Sequence, residues 1–509
     1  PAMRSYLPLS SCLFLLVACY GAPADESTGG PESTSGGSTT AEPTTGGSST
    51  GEVDPLLAGA PTPNVSPDEL DVDVFGDVGL RYWFVVSPEQ LARMNEKDMN
   101  GGDIYTPGGA ATYAEHLFVT AAGDAPTTAD YGKVEVRLIG GSTFREWSRT
   151  TIPSLKIDTD EFTEGLDISG VEHVRLHNGQ VGSIYRERIA LEIYARLGYP
   201  AARSTFAWVG SNVWGPGVEV PYTAVENYKR AFCERQGDAW GGGCENMWEF
   251  FGDLGGGVLA LESSCQLASC DPTRAQQLEA LALATPAGPG FKAALADWLD
   301  WGAFHRFQCL SWALWTGDDA LHNQNNVVLV ERKDGLFQYL PYSVDISGGQ
   351  DWYKDVPLYG TSVLAYGCQA DPECWDDTIA ACEAVIDGFA AIDPPAIVDA
   401  IHGQLVAQGM LRDGDLGRYA DIRAWYAARV EQLAAELDTY RELPCQPPNA
   451  KCDGACVDVQ ECTLSCAPDE VQCGPACVPA GACVDCLPPF EPCGDGSCVP
   501  PGVCKQFPF

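Results

Sequence analysis

Between Cys445 and Cys504 the chain repeats one cysteine spacing three times. Cys445, Cys452, Cys456 and Cys462 form the first unit; Cys466, Cys473, Cys477 and Cys483 the second; Cys486, Cys493, Cys498 and Cys504 the third. Each reads Cys-x6-Cys-x3/4-Cys-x5-Cys, with a CxGxCV-like centre such as Cys452-Asp453-Gly454-Ala455-Cys456-Val457. Units this small and this poor in apolar residues need cross-links to hold a fold. Disulfides are the expected cross-link. Zinc, the alternative, would have to be held without histidine, because residues 445–504 contain none. The segment is predicted to be a small disulfide-rich repeat region, acting as a spacer or a binding module.

The opposite end accounts for oxidised cysteines. Arg4 precedes an apolar stretch from Leu7 to Ala18, too short for a permanent membrane span. Leu16-Val17-Ala18-Cys19 is similar to a bacterial lipobox, so residues 1–18 are expected to be a lipoprotein-type signal peptide and Cys19 the lipidated residue. Tyr20, not Asp, follows, which does not favour retention at an inner membrane. Residues 19–61 are Ser, Thr, Gly, Pro and Glu with almost no large apolar side chain, a composition expected of a disordered stalk. The expected location is the outer membrane or the cell surface.

Charge then removes two classes of partner. The formal net charge is −40, from 70 acidic and 30 basic residues. Phosphate backbones and anionic lipid surfaces are poor partners for such a chain. No nucleic acid is expected, and contact with a membrane is expected through the lipid anchor only. There is no GxxxxGK[ST] or HExxH motif, and six scattered histidines offer no zinc spacing. Gly255-Gly256-Gly257-Val258-Leu259-Ala260 fits GxGxxA but lacks a βαβ context.

Residues 62–440 read as the folded body. Strands are predicted at Leu80–Val86, Tyr131–Ile139, Phe206–Val209 and Val218–Val225, and helices at Pro88–Glu96, Ser183–Leu197 and Asp415–Leu437. Cys233, Cys244, Cys265 and Cys270 punctuate a Gly-rich insert and are expected to form local disulfides, and Cys368, Cys374 and Cys382 are expected to join Cys309 in further bridges whose pairing the sequence does not specify.

Polar groups suited to chemistry concentrate in Ser311–Gly349. An apolar helix is predicted from about Trp301 to Trp315, stopping at Gly317. Asp318 and Asp319 follow, then His322, Asn323, Asn325 and Asn326. A hairpin, Val327–Glu331 with Leu336–Pro341, turns through Lys333-Asp334-Gly335 and leads to Asp345. Carboxylate, amide, hairpin, carboxylate is an order that suits phosphoryl transfer: one Asp for the acceptor hydroxyl, an Asn and a later Asp for a metal. Oxygen-only ligands favour hard cations such as Mg²⁺, Mn²⁺ or Ca²⁺ over zinc. Asp, Asn and Gly clusters are also ordinary loop material.

GDDALHNQNNVVLV followed by LFQYLPYSVDISGG resembles the core of the CotH family of spore-coat kinase-like proteins. VEVRLIGGSTFRE with SLKIDTDEF, RERIALEIYARLGYPAARSTFAWV, and VPYTAVENYKRAF are similar to other blocks of that family. The resemblance implies an α+β, atypical protein-kinase-like, two-lobed domain that uses ATP with Mg²⁺ or Mn²⁺. It implies catalytic roles for Asp318, with Asp319 as its rival, and metal ligation by Asn326, Asn325 and Asp345. It further implies nucleotide contacts from Lys156, Glu187, with a possible Lys156–Glu187 ion pair, and Glu226. The sequence departs from the pattern at Gly317, at the valines after Asn326, and at Tyr342-Ser343, where the last change removes a second carboxylate. Lys229 stands near the place of a family Asp.

Two functions follow. One is a CotH-like kinase transferring the ATP γ-phosphate to Ser or Thr of a surface or coat protein. The other is a non-catalytic cell-surface adhesion or binding lipoprotein with a pseudokinase-like domain, since an exported protein meets little ATP.

Overall fold

The computed structural model describes residues 54–96, 111–123, 125–140, 144–179, 183–250, 252, 254, 265–349 and 356–441, and the backbone of short strands from 449 onward. The expected signal peptide, Cys19, the stalk as far as residue 53 and the cysteine pairing of the tail lie outside the described residues. Residues 54–61, expected to belong to the disordered stalk, instead form a 3-10 turn at Pro55–Leu57 and pack Leu56, Leu57 and Ala60 against Trp83, Val85 and Phe118.

The first half of the body builds one mixed sheet. Its strands are β1 Arg81–Val85, β2 Tyr113–Ala114, β3 His116–Ala121, β4 Thr127–Asp130, β5 Val134–Ile139, β6 Ser154–Asp158, β7 His173–His177, β8 Ser204–Ser211 and β9 Glu219–Glu226. Their spatial order is β2-β5-β6-β7-β9-β8-β1-β3-β4. All neighbours are antiparallel except β1 and β8. Period-two alternation gives the sheet two unlike faces. Val134, Val136, Leu138, Leu155, Ile157, Val174, Leu176, Tyr222 and Ala224 enter one apolar core with Trp147 and Phe84. Glu135, Arg137, Lys156, Asp158, His173, Arg175 and His177 occupy the alternate positions.

A second core gathers around helices. Helix α1 (Pro88–Asn95) belongs to the first half, and α2 (Arg186–Arg196) opens the second core. After α3 (Arg230–Gln236), strands β10 Cys244–Phe250, β11 Val327–Arg332 and β12 Phe337–Leu340 form a separate antiparallel sheet. Between β10 and β11 come α4 (Thr273–Ala284), α5 (Phe291–Ala294) and α6 (Trp301–Leu314). Then follow α7 (Val363–Ala370), α8 (Pro372–Ala391), α9 (Pro394–Ala407) and α10 (Asp415–Asp438). The architecture is mixed α+β.

Helix α6 is the axis of this core. Asp300 caps its start, accepting from the Ala303 amide at 2.9 Å. Its end differs from the prediction: it stops at Leu314, and Trp315, at φ 54°, turns the chain, two residues before Gly317. A left-handed tryptophan is unfavourable in isolation. Here Arg429 lies over its ring at 5.1 Å and Trp425 packs edge-on at 5.4 Å.

Among the described residues, four disulfides join Cys233–Cys244, Cys265–Cys270, Cys309–Cys382 and Cys368–Cys374. The expected local bridges of the insert are present, and Cys309–Cys382 ties α6 to α8. Such bonds fit an extracellular protein. Among the described residues no helix is long and apolar enough to cross a membrane. In the tail, three two-stranded hairpins sit at the repeat centres: Asn449–Cys452 with Ala455–Asp458, Glu470–Cys473 with Ala476–Pro479, and Glu491–Pro492 with Cys498–Val499.

Candidate active site

The polar face of the sheet carries a row of cations. Lys156 on β6 is paired in register with Arg137 on β5 and with Arg175 on β7. Like charges directly opposite one another on a sheet repel. Glu135 takes up Arg137 at 2.6 Å, and Arg175 lies over the Tyr342 ring at 4.2 Å. Lys156 forms no hydrogen bond or ion pair among the described residues. Burial lowers its pKa, and Arg137 and Arg175 lower it further against the opposing pull of Glu249 and Glu135. Tyr342 donates to Glu249 Oε1 at 2.6 Å, so this face meets the second core through Arg175, Tyr342 and Glu249.

Beside that row lie two neighbouring acids, Glu187 buried and Asp345 half-buried. Glu187, on the first turn of α2, hydrogen-bonds Nδ1 of His177, the last residue of β7. Burial works to raise the Glu187 carboxyl, but His177 and Arg175 hold it below the ordinary value. Asp345 has the opposite fate: burial pushes it up to about 6, and the nearby Glu187 carboxylate adds to the rise. The Ser343 hydroxyl donates to Asp345 at 3.3 Å. Arg186, next to Glu187, donates to the carbonyls of Ser347 and Gly348, fastening the turn after Asp345 to α2. Gly349 completes that turn at φ 79°, where a Cβ would stand 2.3 Å from the Trp425 ring. The possible Lys156–Glu187 ion pair is not formed; His177 has the carboxylate that Lys156 was expected to meet.

The loop after α6 treats its two aspartates differently. Asp318 accepts from the side-chain amides of Asn323 at 2.5 Å, Asn325 at 2.9 Å and Asn326 at 3.0 Å. With their nitrogens turned to Asp318, Asn325 and Asn326 keep their Oδ1 atoms as oxygen donors. Asp319 faces inward. Its Oδ1 accepts from the Leu321 and His322 amides and from His322 Nδ1, each at 2.9 Å. Burial works to raise Asp319, and His322 outweighs it and holds the carboxyl below its ordinary range. Trp315, Gln324, Asn326 and Ser343 all have φ between 51° and 58°, so left-handed residues other than glycine concentrate in this one stretch. Local strain of this kind gathers at sites where side-chain direction matters.

Glu226 ends β9 with both oxygens engaged. Its Oε1 accepts from Arg203 Nη2 at 2.9 Å, and its Oε2 from the Arg203 amide at 2.9 Å and from Arg235 at 2.5 Å. The structure therefore brings Glu187 and Asp345 together, groups Asp318 with Asn325 and Asn326, and gives Glu226 two arginine partners. Arg137, Arg175, His177 and Glu249 were not singled out for this site from the sequence. The alternation VEVRLI, SLKID, HVRLH was the available signal, because it puts the basic residues of three strands on one face.

No family model matches the chain, and no curated protein does. The resemblance to the CotH family therefore rests on the quoted motifs. Among solved structures the chain is similar to HipA of the Shewanella oneidensis MR-1 toxin–antitoxin system, in a complex with HipB and operator DNA. Identity is 12%, the TM-score 0.28, and the overlap covers 72% of this chain and 74% of that one. It is also similar to the proinflammatory kinase CtkA of Helicobacter pylori, at 9% identity and TM-score 0.26, over 56% of this chain and 92% of that one. Overlaps this slight leave the assignment to the chemistry of the site itself.

Proposed function

We propose that the protein is a CotH-like atypical kinase that moves the γ-phosphoryl group of ATP to Ser or Thr hydroxyls of surface or coat proteins. One observation carries the reading: Lys156 stands in register between Arg137 and Arg175, without an ion-pair partner among the described residues, in a chain of net charge −40. Gathering cations against one another costs stability unless a polyanion occupies the position, and a triphosphate is such a polyanion.

In this reading Lys156 contacts the phosphates and Asp318, aligned by three asparagine amides, accepts the proton of the acceptor hydroxyl. The acceptor oxygen bonds the γ-phosphorus as the bond to the bridging β-oxygen breaks, and ADP leaves. Asn325, Asn326 and Asp345 are an oxygen-only set suited to Mg²⁺ or Mn²⁺, which when bound would offset charge on the phosphates. Glu187 steadies the site through His177, and Glu226 supports the end of β9 where the nucleotide would lie. Asp319, engaged by His322, is the weaker candidate for the acceptor. Lipid at Cys19 would hold the enzyme to the cell envelope, outer membrane or cell surface, beside its protein substrates.

The disulfides favour one rival: a cell-surface adhesion or binding protein that never meets ATP. Titration with ATP and Mg²⁺ or Mn²⁺, followed by assay of labelled phosphate on surface proteins, separates the two. Binding with transfer supports the kinase. No nucleotide binding hands the case to the adhesion protein.

A further inference from the structure

Helices α6, α7 and α8 each bring one residue to the same buried spot. His305 on α6, Cys368 on α7 and Cys374 on α8 place a ring nitrogen and two sulfurs within 4.8 Å of one another. All three residues are buried, and the two sulfurs are joined as a disulfide. The spacing of these residues along the chain gives no sign of the grouping, because only the packing of three helices creates it.

The disulfide makes no use of His305. The residue is 3% exposed, and its Nδ1 lies 2.9 Å from the Thr378 hydroxyl. That hydroxyl donates its one proton to the Cys374 carbonyl at 3.1 Å. Nδ1 is therefore the donor to Thr378, and the lone pair of the ring stays on Nε2. Among the described residues Nε2 has no hydrogen-bond partner. Burial pushes the ring down to about 4, so it is neutral at ordinary pH. A neutral imidazole whose second nitrogen donates to a neighbour is the form in which histidine binds a metal.

We infer that His305, Cys368 and Cys374 hold Zn²⁺ in the reduced chain, before the Cys368–Cys374 bridge forms. The inference is independent of the nucleotide reading. Two thiolates, one imidazole and a water complete a tetrahedral zinc set, whose ligand atoms stand about 3.5–3.8 Å apart. The nitrogen is already within reach, and the sulfurs need only part. The disulfide fastens α7 to α8 alone, whereas the ion fastens both to α6, the helix that leads into the Asp318 loop. Oxidation exchanges one tie for the other. The two sulfurs bond to each other, and their two electrons pass to a small-molecule disulfide. That disulfide takes up two protons and leaves as two thiols, and Zn²⁺ departs.

The test uses the full chain with its six histidine rings labelled with ¹⁵N and Zn²⁺ alone as the ligand. After reduction by a phosphine and its removal, Zn²⁺ should shift the ring signals of one histidine. That shift should be absent from His305→Gln, from the double variant Cys368→Ser with Cys374→Ser, and from the oxidised wild type. The double variant keeps His305, so it decides the matter if His305→Gln does not fold. Thiols of residues 445–504 also take up zinc when reduced, but that segment has no histidine and does not enter the reading. A reduced wild type in which no histidine signal moves would overturn the proposal. So would a shift that persists in the double variant, or one of equal size in the oxidised chain, and His305 would then be a packing residue.

Discussion

Asp319 and His322 form a buried ion pair at 2.9 Å, and the other ring nitrogen of His322 donates to the Pro357 carbonyl at 2.9 Å. Both nitrogens act as donors, so the ring is an imidazolium. Burial alone would lower the pKa of His322; Asp319 and the carbonyl outweigh it and hold it above the ordinary value. This pair closes the loop that carries Asp318, Asn325 and Asn326.

His322→Gln should therefore destabilise the protein by about 3–5 kcal/mol near neutral pH, because Asp319 would be left as an unpaired buried charge. The sign with pH follows from the two shifts. A raised histidine contributes stability that is full below its unfolded value near 6.5 and is lost as pH rises through the higher folded value. A lowered carboxyl contributes stability above about 3.9 that is lost as pH falls through its folded value. Denaturant midpoints of wild type and variant, compared from pH 3 to 9, should differ most between those limits and converge outside them. A constant gap would refute the charged pair.

Asp345 and Asp318 should fail in different ways. Asp345→Asn removes a formal charge from the proposed cation shell, so it should weaken Mn²⁺-dependent nucleotide binding about tenfold or more. Asp318→Asn should leave that binding nearly intact and abolish transfer, since Asp318 acts on the acceptor. Calorimetric titration beside a transfer assay reads both. Equal loss of binding in the two variants would put Asp318 in the cation shell instead.

What could be read beforehand follows physical range. The hairpin after Asn326 appears as Val327–Arg332 with Phe337–Leu340, and the predicted helix at Ser183–Leu197 as Arg186–Arg196, because local periodicity and turn residues specify them. Asp415–Leu437 likewise matches α10 within a residue. The end of α6 was missed because glycine propensity lost to tertiary contacts on Trp315. The unlike roles of Asp318 and Asp319 were illegible too: Pro357, which completes the His322 pair, lies far along the chain. The partnership of Glu187 with His177 depends on β7 lying beside α2, and motif spacing does not encode that.

Arg429, on α10, is fully buried and donates to the carbonyls of Ala313 and Trp312 at 3.0 Å each. These carbonyls belong to the last turn of α6, where a cation satisfies orphan acceptors and complements the helix dipole. Glu436 is its counter-charge. Arg429→Met should cost about 3 kcal/mol or more and loosen the loop that begins at Trp315. Hydrogen exchange should then show lost protection over residues 311–326, before any change in α2. Loss confined to α10 would detach Arg429 from the site.

Lys229 offers the sharpest separation of stability from function. It follows Asn227 and Tyr228, and burial lowers its pKa to about 8, with Lys156 adding to the fall. Among the described residues it has no ion pair or hydrogen bond. For a cation the shift means that the folded state binds its proton less readily than the unfolded chain does. The charged form therefore costs stability in full below about pH 8, and the cost fades as pH rises from there toward the unfolded value near 10.4. Lys229→Met should accordingly raise stability by about 2 kcal/mol at pH 7, with the gain shrinking above pH 8. If Lys156 and Lys229 together face the phosphates, the same variant should bind tripolyphosphate more weakly, and the wild type should take up protons on binding it. Proton uptake is measurable as the dependence of calorimetric heat on the buffer's ionisation enthalpy. A variant that gains no stability and binds tripolyphosphate as well as the wild type would show that Lys229 neither suffers from Lys156 nor serves the site.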